Sequence, residues 1–213
     1  AVTSAQLERA PFVELAPALA QAARTVGSPQ IRSAGTLAGN IATASPAGDG
    51  LPVLLALDAC VELIGPSGDR TLPLGELLTG PKRTALEPDE VISAVRFVCR
   101  TGWQGYAKIG TRNAMVISVA GVAVVLDGER RLARIALGSV GPTVLLAREA
   151  SERLTEGFDW KDWFCEEAII AEVGELAAAE ARPIDDHRST ADYRRHGVRV
   201  LTTRLVRRGM ART

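Results

Sequence analysis

Apolar residues recur at helical spacing over residues 4–25, where Val13, Leu15, Leu19 and the Ala22, Ala23 pair form a stripe and Gly27 follows as a stop signal. Pro11 and Pro17 interrupt that stripe and divide the helix it predicts. The pattern then changes character. Across VGSPQIRSAGTLAGNIATASPAGDGL, residues 26–51, small residues such as Gly35, Ala38, Gly39, Gly48 and Gly50 alternate with the short polar Ser33, Thr36, Asn40, Thr43, Ser45 and Asp49. A core helix or strand would use larger apolar residues here. The stretch is therefore read as backbone that approaches a large polar ligand closely, or as a tight crossing of two packed segments. Apolar residues return over residues 51–57 as a short helix or buried segment. Residues 60–64 and 70–74 read as strands about the turn GPSGD, residues 74–79 as a helical turn, residues 80–90 as a polar loop and residues 91–98 as a strand.

Past residue 100, residues 105–110, 115–127 and 132–139 read as strands, with Asp127 and Gly128 supplying a hairpin turn. Residues 144–154, 160–182 and 190–209 carry amphipathic helical patterns. The chain thus divides into residues 1–102 and 103–213. The second part is an α+β unit, a three-stranded antiparallel sheet under a helical bundle. Arg188, Arg194, Arg195, Arg199, Arg204, Arg207 and Arg208 are expected to form one basic stripe, and Trp103, Trp160 and Trp163 to serve packing. Lys82 and Arg83, followed by Thr84, read as a solvated loop pair or as a contact for a phosphate or an acidic partner.

With 46% hydrophobic and 23% charged residues, the 213-residue chain can bury the core of one domain or two small ones. Its 25 basic and 25 acidic side chains cancel, so no overall field draws it to nucleic acid or an anionic membrane. Cys60, Cys99 and Cys165 lie far apart without a CxxC, which suits a reducing compartment and excludes a cysteine-ligated iron–sulfur cluster within this chain. His187 and His196 fit neither metal-ligand nor nucleophile spacing, and no metal site is expected. No signal-type segment or long apolar run appears, and the expected location is cytoplasmic. Hydrolase and nucleoside-triphosphate motifs are absent as well.

The segment PQIRSAGTLAGNIATASPAGD resembles the second flavin-binding motif of the FAD-binding subunit of molybdenum hydroxylases, the group that includes xanthine dehydrogenase and aerobic carbon monoxide dehydrogenase. LPVLLALDACVEL, GPKRTALEPDEVI, YAKIGTRNAMVISVAGVAVVL, RIALGSVGPT and ADYRRHGVRVLTTR follow the same family's order and spacing, so the resemblance covers nearly the whole chain. It implies the C-terminal lobe of a PCMH-type FAD-binding domain followed by a CO-dehydrogenase-flavoprotein-like C-terminal domain. It also implies that Thr36, Leu37, Ala38, Gly39 and Asn40 meet the FAD pyrophosphate, and that Asp49 approaches the ribityl or ribose hydroxyls. Val26 would pack on the flavin, Ile92 touch the isoalloxazine edge, and Lys108 bring its ammonium close to the ring system, where a cation favours reduced, anionic flavin. The implied partners are a molybdopterin-containing large subunit and a 2Fe-2S small subunit. The implied role is to take electrons from the iron–sulfur clusters and pass them to an acceptor, with the substrate chosen elsewhere.

Two departures from the family pattern bear on this. Ala38 stands where the family's loop usually has a second glycine, and its methyl narrows the approach of the backbone to a ligand. The family's N-terminal lobe, with a glycine-rich loop of the form AGGTDL or AGGQSL, has no counterpart, and AVTSAQLERAPF resembles the family's midpoint. Three readings follow: the chain is a fragment, a separate chain supplies that lobe, or the fold is kept without flavin. The last yields an alternative function, an emptied cleft that binds or cyclises a small secondary metabolite, with Asp49, Lys108, Arg112 and Thr36 as its polar groups.

Overall fold

The computed structural model of the chain describes residues 1–211. Its opening stripe is folded as three short helices, α1 (Ser4–Leu7), α2 (Phe12–Leu15) and α3 (Pro17–Arg24), more fragmented than the divided helix expected. Pro17 takes the first position of α3, where its missing N–H would have no intrahelical partner. Helix α3 then buries Ala18, Leu19, Ala22 and Ala23.

The glycine-rich stretch is helical too, a correction to its reading as non-helical backbone. It forms α4 (Pro29–Ala34) and α5 (Leu37–Thr43), and the helix read over residues 51–57 follows as α6 (Gly50–Ala56). The hydroxyls of Ser28 and Thr36 start α4 and α5 by accepting from the N–H groups of Ile31 and Gly39. Helix α4 buries no residue and α5 buries only Ile41, so neither carries the apolar period that announces a helix. Two of the glycines have a packing reason. A Cβ on Gly48 or Gly50 would come within 3.2 or 3.3 Å of the Asn40 side-chain amide, which lies against both.

Strands β1 (Cys60–Gly65) and β2 (Gly68–Pro73) form the expected hairpin, and α7 (Leu74–Leu77) follows. Inside the segment read as loop, β3 (Leu78–Gly80) pairs with β4 (Arg83–Thr84). β5 (Val91–Arg96) then adds to the free side of β1, giving the order β2-β1-β5. Arg70 holds the loop before β5 through Glu90 at 2.6 and 2.7 Å and the Ala85 carbonyl at 2.7 Å. That guanidinium, helped by the Glu87 N–H, holds the Glu90 carboxyl down at about 2.

The second half is built on the antiparallel sheet β6 (Gly102–Ile109), β7 (Ala120–Asp127), β8 (Leu132–Gly138) and β9 (Leu145–Leu146), in that order. β9 adds a two-residue edge to the three strands read from the sequence. Helix α8 (Arg148–Gly157) follows, then the miniature hairpin β10 (Phe158–Asp159) and β11 (Phe164–Cys165), and finally α9 (Glu167–Glu180) and α10 (Ala191–Met210). The long helix expected from residue 160 therefore begins at Glu167. Before it, Trp160 and Trp163 pack edge to face in the hairpin with ring centroids 6.0 Å apart.

Alternation along the sheet explains why the two halves hold together. Trp103, Ala107, Val122, Val124, Ile135 and Leu137 face the core under α8, α9 and α10. Tyr106, Ala123, Val125 and Ala136 face the core that α3 and α6 complete. β7 is buried along its whole length, covered on both faces. The sheet is thus the shared wall between the halves.

The arginines of the last helix are not a free stripe. Arg194 is buried and bonded to Asp186, while Arg199 pairs with Glu175 at 2.9 Å and Arg207 with Glu167. Arg188 precedes the helix and pairs with Asp186. Among the described residues, no helix is long and apolar enough to cross a membrane, and no group of His, Cys, Asp and Glu is placed to hold a metal.

Candidate functional site

A cavity of about 920 Å³ opens between the C-terminal end of α3, the Gly27 turn and the end of β6 with the segment that follows it. Gly27 has a positive φ of 45°, which lets the chain reverse there between α3 and α4. Arg24, Arg32, Lys108 and Arg112 line the cavity, and none of its lining residues is acidic. Glu8 stands behind Arg32 at 2.8 Å and Arg24 at 3.7 Å, and Asp49 stands behind Lys108 at 2.6 Å. Four cations against two carboxylates leave the wall positive, which favours an anionic or electron-rich occupant.

Asp49 is the centre of the polar network beneath this wall. It begins α6, yet its side chain makes no capping bond and turns to the sheet. There it accepts from Tyr106 Oη at 2.9 Å, Lys108 Nζ at 2.6 Å and Ser118 Oγ at 2.5 Å, and from Thr25 Oγ1 at 3.0 Å, whose one proton is shared with the Ala22 carbonyl at 2.8 Å. Those four donors fill the lone-pair sites of a carboxylate that is 7% exposed. Burial, and then the charge of Asp49, push the Tyr106 phenol well above its usual value, so Tyr106 remains a donor. Gly121 makes room for it, because a Cβ there would lie 2.9 Å from the Tyr106 hydroxyl. Tyr106→Phe removes one of the four donors and is expected to lower stability by about 1–2 kcal/mol in urea unfolding. An unchanged midpoint would mean that water replaces the phenol.

The structure brings only some of the sequence-selected residues together. Lys108 and Arg112 line the main cavity, and Arg112 folds back onto the carbonyls of Ala114 and Met115. Val26, Leu37 and Asn40 instead line a small internal void of about 10 Å³ with Leu19 and Gly50. In the first turn of α5, the N–H of Leu37 goes to the Val2 carbonyl, that of Gly39 to the Thr36 hydroxyl and that of Asn40 to the Thr36 carbonyl. Gly39 is exposed and Ala38 half-buried, so the open face of this turn is the backbone at residues 38–39. Ile92 lies on β5 opposite Leu63, packed on the first core and outside the cavity lining. Thr25, Tyr106 and Ser118 were not selected as site residues. The alternation in YAKIG places Tyr106 and Lys108 on one face of β6 and was the available signal for Tyr106; Thr25 and Ser118 reach Asp49 only through the tertiary fold.

Comparison with known proteins assigns both halves. Residues 1–97 match the family model for the FAD binding domain in molybdopterin dehydrogenase, and residues 105–208 match that for the CO dehydrogenase flavoprotein C-terminal domain. The carbon monoxide dehydrogenase medium chain of Hydrogenophaga pseudoflava is 35% identical over 184 residues, which cover 84% of this chain and 61% of that one. The nicotine 6-hydroxylase medium subunit of Paenarthrobacter nicotinovorans is 33% identical over 216 residues, covering 100% of this chain and 74% of its own length. Reconstituted CO dehydrogenase from Oligotropha carboxidovorans superimposes with a TM-score of 0.87 at 30% identity, over 99% of this chain and 73% of that one. This chain therefore spans about three fifths to three quarters of the length of these relatives. None of them is named as a cyclase, and the emptied-cleft alternative gains no support; two of its polar groups, Asp49 and Lys108, are bonded to each other. The chain belongs to the family of FAD-binding medium subunits of molybdenum hydroxylases, of which the carbon monoxide dehydrogenase medium chains are members.

Proposed function

We propose that this chain is the flavin-holding medium subunit of a molybdenum hydroxylase, receiving electrons from the iron–sulfur clusters of a small subunit that a molybdopterin-containing large subunit has reduced. The observation that carries the reading is the large cavity walled by cations without a lining carboxylate, in a chain of this family. Its volume lies within the roughly 300–1,000 Å³ common for small-molecule and cofactor sites. The residues fit a flavin in two respects. The cationic wall suits an electron-rich ring, and the exposed Gly39 keeps the first turn of α5 free of side-chain bulk.

When bound, FAD supplies the electron-accepting chemistry, and the protein supplies orientation and electrostatics. Arg24, Arg32 and Arg112 would hold the ring system and its charge, Lys108 would add its field, and the Ala38 N–H would meet a phosphate oxygen. Asp49 fixes Lys108 at the wall, so the positive field needs no rearrangement when electrons arrive. The final acceptor and the hydroxylated substrate are chosen by groups outside these residues.

The protein purified from its native source, with its partner subunits, is expected to show flavin absorbance and to release FAD on heating. A preparation that carries iron–sulfur absorbance yet neither contains nor takes up FAD would overturn the proposal.

A further inference from the structure

We infer that Lys108 is a positioning residue: its ammonium clamps the segment over residues 110–118 against the end of α3 and so sets one wall of the cavity, and it donates no hydrogen bond to the occupant. The inference rests on the proposed function only for the identity of that occupant. A lysine ammonium has three protons to give. Lys108 Nζ gives them to Asp49 Oδ2 at 2.6 Å, the Thr25 carbonyl at 3.0 Å and the Val116 carbonyl at 3.0 Å. The side chain is 10% exposed, so these bonds are made out of water, where a charged hydrogen bond is strong. No proton remains for a flavin nitrogen or oxygen.

What Lys108 does instead follows from where its three acceptors lie. Thr25 follows α3, Asp49 precedes α6, and Val116 lies in the segment between β6 and β7. That segment is closed at its neck by the Val119 N–H bonded to the Ile109 carbonyl at 2.8 Å. Val116 lies over Gly110 so closely that a Cβ there would sit 2.2 Å from Val116 Cγ1. Ser118 is tied from the other side by its hydroxyl on Asp49. Between the ties, Arg112, Met115 and Ile117 are exposed, and Met115 has a positive φ of 49°. The segment has little core of its own to hold it. It is a cavity wall pinned at its middle by Lys108 on the Val116 carbonyl and at its end by Ser118 on Asp49 and the Val119–Ile109 bond.

The test compares the wild-type protein with Lys108→Met by hydrogen exchange and by titration with FAD after removal of endogenous flavin. Exchange of the Val119 amide, which is bonded to the Ile109 carbonyl at the neck of the segment and is referred to the amides of α9, is expected to rise about tenfold or more, the factor that one lost charged hydrogen bond corresponds to. FAD affinity falls with it, and Lys108→Arg, which keeps a cation within reach of Asp49, restores part of both. Weakened FAD binding with unchanged exchange would overturn the inference in favour of a direct contact, and raised exchange with unchanged affinity would overturn the link to the cavity. Should Lys108→Met not fold, Lys108→Gln, which removes the charge but keeps an amide donor on the side chain, is read by the same two measurements. The exchange result stands even if wild-type protein takes up no FAD, so failure of the clamp and failure of the flavin reading are distinguishable.

Discussion

Asp49→Ala is expected to destabilise the protein by about 3–5 kcal/mol, the range found when one partner of a buried ion pair is removed. The loss has two parts. Lys108 is left charged in a site where its side chain is 10% exposed, with only carbonyls for partners. Thr25, Tyr106 and Ser118 lose their shared acceptor at the same time. Asp49→Asn keeps the shape and one acceptor oxygen, and its loss is expected to be smaller. Combining Asp49→Ala with Lys108→Met removes the stranded charge and is expected to recover part of the stability, a coupling of about 0.5–3 kcal/mol in a double-mutant cycle. Urea unfolding of the four proteins reads this directly. A loss below about 1 kcal/mol, the net worth of one ordinary hydrogen bond, would mean that Asp49 is solvated rather than enclosed.

The network that makes this substitution costly was only half visible before the fold was known. Period-two alternation in YAKIG puts Tyr106 and Lys108 on one face, and that face does meet α3 and α6. The turn residues around Gly65 to Asp69 also gave the first hairpin, with Gly68 at a φ of 114°. What could not be read was the helical state of residues 29–43. A helix buried on one stripe announces itself by apolar period, but α4 buries nothing, and α5 and α6 are divided by small residues that seat Asn40. Asn40 was chosen for a ligand and is placed inward, on Gly48 and Gly50. The same composition runs through an exposed turn at residues 38–39 and internal packing at residues 48–50. Only tertiary placement separates the two uses. The arginines of α10 mislead in the opposite direction, since charge in a sequence reads as solvated face, whereas Arg194 lies inside.

Arg194→Met is the second large effect expected, again about 3–5 kcal/mol at neutral pH. The guanidinium is 3% exposed and donates to the Val119 carbonyl at 2.7 Å, the Ser139 carbonyl at 2.9 Å and Asp186 Oδ1 at 2.7 Å. It therefore joins α10 to the start of β7 and to the end of β8, at the edge of the sheet beside Ser118. Methionine fills the volume but leaves both carbonyls without this donor and Asp186 with only the more exposed Arg188 as its cation. The pH dependence identifies the Asp186 share. Burial works to raise that carboxyl, but the Arg188 N–H, the Arg194 guanidinium and the Ser189 N–H outweigh it and hold it at about 2, below its ordinary 3.8. A depressed carboxyl stabilises the fold fully above its unfolded value, and the contribution is lost as pH falls from about 3.8 toward 2. The difference between wild type and Arg194→Met should accordingly narrow between pH 4 and pH 2, since protonated Asp186 no longer attracts the cation, and should not vanish, since the carbonyl bonds persist. Urea unfolding at pH 7 and through that acid range measures it, and a difference that stays constant or widens would show that Asp186 does not anchor Arg194.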